Sequence, residues 1–165
     1  MALNKTSKKN QAKALIQQNK FTEAKKLLLK SCKRKGNDLD AWLLLAFVNR
    51  RLAMLNEAAA CCQHVLNRNP GHAHAWHLLG SCHHLSGDLT TAITSYKKAV
   101  SYDSALAESY LFMGDAFREN ADLPSAIESY TKATQINKSY LEALTNLGAT
   151  LIETGDLNKA WGGLK

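Results

Sequence analysis

An internal period of 34 residues constrains this chain more than any other feature. Gly80, Gly114 and Gly148 are spaced 34 apart, and so are Ala58, Ala92, Ala126 and Ala160. Trp42, Trp76, Tyr110 and Leu144 recur in the same frame, followed three residues later by Leu45, Leu79, Met113 and Leu147. Cys62, Tyr96, Tyr130 and Leu164 form a further column, as do Val65, Ala99 and Ala133. The pairs Asp88 with Leu89, Asp122 with Leu123, and Asp156 with Leu157 keep the same interval. A fixed period of this length marks stacked supersecondary units rather than one irregular core.

Each unit reads as two helices. Trp76, Leu79, Gly80 and His83 fall at i, i+3, i+4 and i+7, which is one face of a helix. Gly87 then interrupts the pattern, and Asp88 is placed to cap the second helix. Leu89, Ala92, Ile93, Tyr96, Ala99 and Val100 form the stripe of that helix. The spacing predicts helix pairs near residues 39–68, 73–102 and 107–136. Small residues in the Gly80 and Ala92 columns suit close helix crossings, where a larger side chain would overpack at a cost of ~1–3 kcal/mol.

These units resemble the tetratricopeptide repeat. In residues 73–106 the resemblance is carried by Trp76, Leu79, Gly80, Ala92, Tyr96 and Ala99, with His83 and Ser104 departing from the family pattern. In residues 107–140 it is carried by Tyr110, Met113, Gly114, Phe117, Ala126, Tyr130 and Ala133. Residues 39–72 keep Trp42, Leu45, Ala46, Ala58 and Pro70, with Asn49 and Cys62 at the aromatic places. Residues 5–38 are degenerate, and residues 141–165 stop within a repeat. The fold this resemblance implies is all-α, a right-handed superhelix (solenoid) of antiparallel helix pairs. About four and a half repeats would form a single domain over residues 1–165.

The resemblance also implies a concave groove lined by the first helix of each pair. Its second, fifth, ninth and twelfth residues are Asp40, Leu43, Phe47 and Arg50, then His74, His77, Ser81 and His84. The next repeats supply Glu108, Leu111, Asp115 and Arg118, then Glu142, Thr145, Ala149 and Ile152. Leu43, Phe47 and Leu111 are the apolar anchors of this set, with histidines and acids between them. Such a mixture suits a peptide segment of a protein partner better than one small molecule. The lysine and asparagine clamp by which some members grip a chaperone's C-terminal carboxylate is absent. Of the asparagine ladder of the O-linked N-acetylglucosamine transferases, only Asn146 is present.

Composition narrows the remaining readings. Hydrophobic residues make up 45% and charged residues 21%, enough apolar side chains for a packed core. Nothing approaches 18 consecutive apolar residues, and no apolar run follows the N-terminal lysines, so neither membrane insertion nor a secretory signal is expected. Net charge is +7, with 11 of the 21 Lys and Arg inside residues 1–38 beside only Glu23 and Asp38. This basic end reads as the solvated face of a terminal repeat. Specific nucleic-acid binding would want aromatic residues among the lysines, and only Phe21 is there. Cys32, Cys61, Cys62 and Cys82 have no framework spacing and read as reduced, small apolar residues of a cytoplasmic protein.

Five of the six histidines lie within residues 72–84, and His74, His77 and His84 share a helical face. No carboxylate or cysteine completes a metal-ligand spacing, so no metal is assigned. His83, at a core aromatic place of the family, is expected to be a hydrogen-bonded interior residue. There is no GxSxG, GxxxxGK or HExxH motif, so no catalytic residue and no cofactor are assigned either. The expected function is a non-enzymatic interaction scaffold that holds a peptide in its groove. The alternative is the N-terminal targeting arm of a larger enzyme of glycosyltransferase, sulfotransferase or methyltransferase type. Leu144, Leu147, Leu151 and Trp161 would leave an apolar C-terminal edge. Further chain is expected to cover it, with self-association through that edge as the other outcome.

Overall fold

Asp38, Asp88 and Asp122 each stand at the entry of a helix and accept a hydrogen bond from the backbone N–H three residues on. They satisfy donors that the helix itself leaves unpaired. The computed structural model describes residues 7–34 and 36–155. Those residues form nine helices: α1 (Lys8–Gln17), α2 (Phe21–Arg34), α3 (Leu39–Arg51), α4 (Leu55–Leu66), α5 (Ala73–Leu85), α6 (Leu89–Tyr102), α7 (Ala107–Glu119), α8 (Leu123–Ile136) and α9 (Leu141–Glu153). No strand occurs among the described residues. Helices therefore stand where the three expected pairs put them, at α3 and α4, α5 and α6, and α7 and α8. The second helix of the last repeat, with Asp156, Leu157, Trp161 and Leu164, lies outside the described residues.

The turn inside each pair is built on one recurring backbone device. Asn19, Ala53, Gly87, Ala121 and Gly155 all have positive φ, between 57° and 84°, and are spaced 34 apart. The N–H that follows four of them reaches back five residues, from Lys20 to Leu15, Met54 to Asn49, Asp88 to His83 and Asp122 to Phe117. This closes the C-terminus of the first helix and turns the chain into the second. The register thus runs through the degenerate first pair, α1 and α2, although few of its side chains follow the pattern.

The chain divides into two compact units, Met1–Cys82 and His83–Lys165. In the first, α1 packs on α2, α2 on α3 and α3 on α4. Its core gathers Ala24, Leu28, Leu45, Ala46, Cys62, Val65 and Leu79, with Trp42 and Trp76 packed against it. Both tryptophans also tie down the loop before their helix. Trp42 Nε1 donates to the Gly36 carbonyl at 3.0 Å and Trp76 Nε1 to the Pro70 carbonyl at 2.7 Å, each six residues back.

In the second unit α6 packs on α7, α7 on α8 and α8 on α9. Tyr96 and Met113 centre one cluster, while Tyr130, Leu111 and Ala126 centre another. The Tyr130 ring fills the space over Gly114, as the pairing of small and large columns requires.

Candidate functional site

In the first unit the predicted groove residues come from α3 and α5. Leu43, Phe47 and Arg50 lie on α3 and are partly exposed. Arg50 Nη1 donates to the Ser81 hydroxyl on α5 at 3.1 Å, and the guanidinium carbon lies 5.6 Å from the centre of the Phe47 ring. Phe47 meets Phe21 edge-on, with ring centres 6.4 Å apart. His74 is exposed, while His77 and Ser81 are buried. Burial, helped by the positive charge of Arg50, pulls the His77 pKa down to about 4, so its ring is neutral at pH 7. Asp40, also predicted here, is drawn toward the N-terminal helix by Lys9 at 3.4 Å. Lys9 lies closer still to Asp38, at 2.9 Å.

The second unit holds His84, Asp115 and Arg118, and each already has a partner within it. His84 Nε2 lies 3.1 Å from Glu119, and Arg118 Nε lies 3.6 Å from Glu153. Asp115 Oδ1 accepts from the Tyr130 hydroxyl at 2.8 Å and from Asn146 Nδ2 at 2.9 Å. Burial and the neighbouring Asp115 carboxylate together push the Tyr130 hydroxyl above its usual pKa, so it stays a donor. Leu111, expected as an apolar anchor, is fully buried in the core with Tyr130 and Ala143. It shapes the wall from inside and has no surface to give a ligand. On α9, Glu142, Thr145, Ala149 and Ile152 are not buried, and Ile152 is well exposed.

One more side chain differs from expectation. His83 is not interior: it is partly exposed, with Nδ1 3.8 Å from the Asp88 carboxylate. Asn49, at a family aromatic place, is buried and donates to Cys61 Sγ at 3.8 Å. The four cysteines are all buried and free. Burial raises the thiol pKa of Cys32, Cys61 and Cys82 to about 11 and that of Cys62 further, which disfavours the thiolate. Among the described residues no group of three or more His, Cys, Asp or Glu side chains is placed to hold a metal ion. None of the described helices is long and apolar enough to cross a membrane.

By sequence, Arg50, Ser81 and Asp115 are separate groove positions. The structure joins Arg50 to Ser81 and brings Tyr130 and Asn146 together on Asp115. The signal for this in the chain is columnar. Ser81 and Asp115 both hold the ninth place of their repeats, where a residue from the neighbouring helix pair can reach them.

Tandem helix pairs with a recurring left-handed turn, small crossing residues and aromatic fillers define an all-α repeat protein. Residues 73–106 match a family model described as tetratricopeptide repeat, and residues 114–155 match a second described as TPR repeat. Those two stretches carry tetratricopeptide repeats. No curated protein sequence matched it. Solved structures with the same fold include MamA 41-end from Desulfovibrio magneticus RS-1, with 19% identity and a TM-score of 0.81 over 95% of this chain and 89% of that one. TTC0263, a thermophilic TPR protein in Thermus thermophilus, has 18% identity and a TM-score of 0.77, covering 94% and 86% of the two chains. YrrB, described as a TPR protein with an unusual peptide-binding site, has 18% identity and a TM-score of 0.71 over 95% and 81%.

Proposed function

We propose that the chain is a non-enzymatic interaction scaffold whose first unit holds a peptide segment of a partner protein against α3 and α5. The observation that carries this reading is the side-by-side display of Leu43, Phe47 and Arg50 on one helix. Two partly exposed apolar side chains next to a cation offer anchoring and orientation together. The second unit presents a more self-satisfied surface, since His84, Asp115 and Arg118 all engage partners inside it. The likeness to YrrB supports a peptide ligand by analogy of fold. A targeting arm of a larger enzyme would use the same residues, so one experiment serves both readings.

That experiment is partner capture with the wild-type chain, Phe47→Ala, and the outer-helix changes Lys97→Ala and Lys132→Ala. Removing a central aromatic anchor is expected to weaken capture about tenfold with an unchanged circular-dichroism spectrum. The lysine changes are expected to leave it intact. Capture lost in the lysine variants and kept in Phe47→Ala would move the binding face to the outer helices.

A further inference from the structure

Arg50 differs from Lys9 and Arg118. Lys9 has Asp38 and Asp40, and Arg118 has Glu153, but no carboxylate of the described residues pairs with Arg50. Its guanidinium carries five N–H donors in a rigid fork. One is used on Ser81, and Nε is buried with no hydrogen-bond acceptor. A cation partly withdrawn from water and left unpaired is costly, and a carboxylate brought to it recovers that cost in charge-assisted hydrogen bonds.

We infer that Arg50 is the specificity-determining residue of the first unit and seats one aspartate or glutamate side chain of the bound peptide. The inference rests on the peptide-binding reading above and names what that peptide must contain. Ser81 is the positioning residue: buried on α5, it fixes the edge of the guanidinium and leaves the remainder of the fork for the ligand. Phe47 braces the other side of the fork, with its ring 5.6 Å away. Leu43 and Phe47 continue the face along α3, so the acidic residue has an apolar neighbour. A monovalent carboxylate fits better than a phosphate. The seat offers a single positive charge, because the adjacent His77 is buried and uncharged at neutral pH.

The test begins with selection from a random-peptide phage library on the wild-type chain and on Arg50→Gln. The wild type is expected to enrich peptides with one acidic position beside an apolar one, and the variant to show no such preference. A selected peptide and its Asn or Gln counterpart are then titrated against both proteins. Loss of the acid should weaken wild-type binding about tenfold or more and leave Arg50→Gln unaffected. The Arg50 Nε–H resonance should shift with the acidic peptide only, a readout that a purely structural arginine would not give. If Arg50→Gln does not fold, the wild-type comparison of the two peptides decides alone. Equal binding of the acidic and amide peptides overturns the inference and leaves the groove reading standing, as does tighter binding of a phosphoserine version. Failure to enrich any peptide whose binding needs Phe47 overturns both.

Discussion

The ring of Tyr130 occupies the place where a side chain on Gly114 would lie. A Cβ added to Gly114 would stand 2.5 Å from Tyr130 Cε1 and 2.6 Å from Cδ1. The ring has little room to yield, being fully buried with its hydroxyl bonded to Asp115. The pair locks α7 to α8 and also holds Asp115 for Asn146 on α9.

Gly114→Ala is therefore expected to destabilise the protein despite better helix propensity. Alanine would gain about 1 kcal/mol as a helix former. Overpacking against an immobile ring costs ~1–3 kcal/mol, and contacts this short place it at the upper end. The net loss should lower the melting temperature by several degrees. A melting temperature at or above wild type would show that Tyr130 can move aside.

Ala121→Gly is expected to act in the opposite direction. Ala121 sits in the left-handed region at φ 58°, where Gly87 and Gly155 stand in other repeats. An L-residue there costs ~1–2 kcal/mol, whereas glycine costs ~0.5–1 kcal/mol in unfolded-state entropy. Relief of strain outweighs entropy, so a small gain in the urea midpoint is expected. Ala121 is exposed, so no packing is lost. A lower midpoint would show that the turn holds alanine without strain.

His77 makes stability depend on pH in a known direction. Its folded pKa, about 4, lies below the usual 6.5, so between these values the unfolded chain binds the proton and the folded one does not. Stability is full above pH 6.5 and falls as pH drops toward 4, by ~3 kcal/mol at most. The unfolding midpoint of wild type should fall between pH 7 and pH 5 more steeply than that of His77→Leu. Parallel curves would place the pH dependence elsewhere.

The amino-acid sequence determined the repeat and its helices, because both are local. A 34-residue period, a capping aspartate and a stripe at helical spacing are properties of short stretches, and each appeared where expected. Partnerships across helices were not local, and only the tertiary structure decided them. Asp115 was legible as a groove position, but not that Tyr130, fifteen residues away, and Asn146, a repeat away, converge on it. Leu111 looked like an anchor, yet packing against Tyr130 and Ala143 buried it. His83 looked interior by column but is partly exposed, beside the Asp88 carboxylate. Arg50 was legible as a groove cation, but its lack of a carboxylate was not. Whether a charge is paired depends on distances that the chain acquires only when its helices stack.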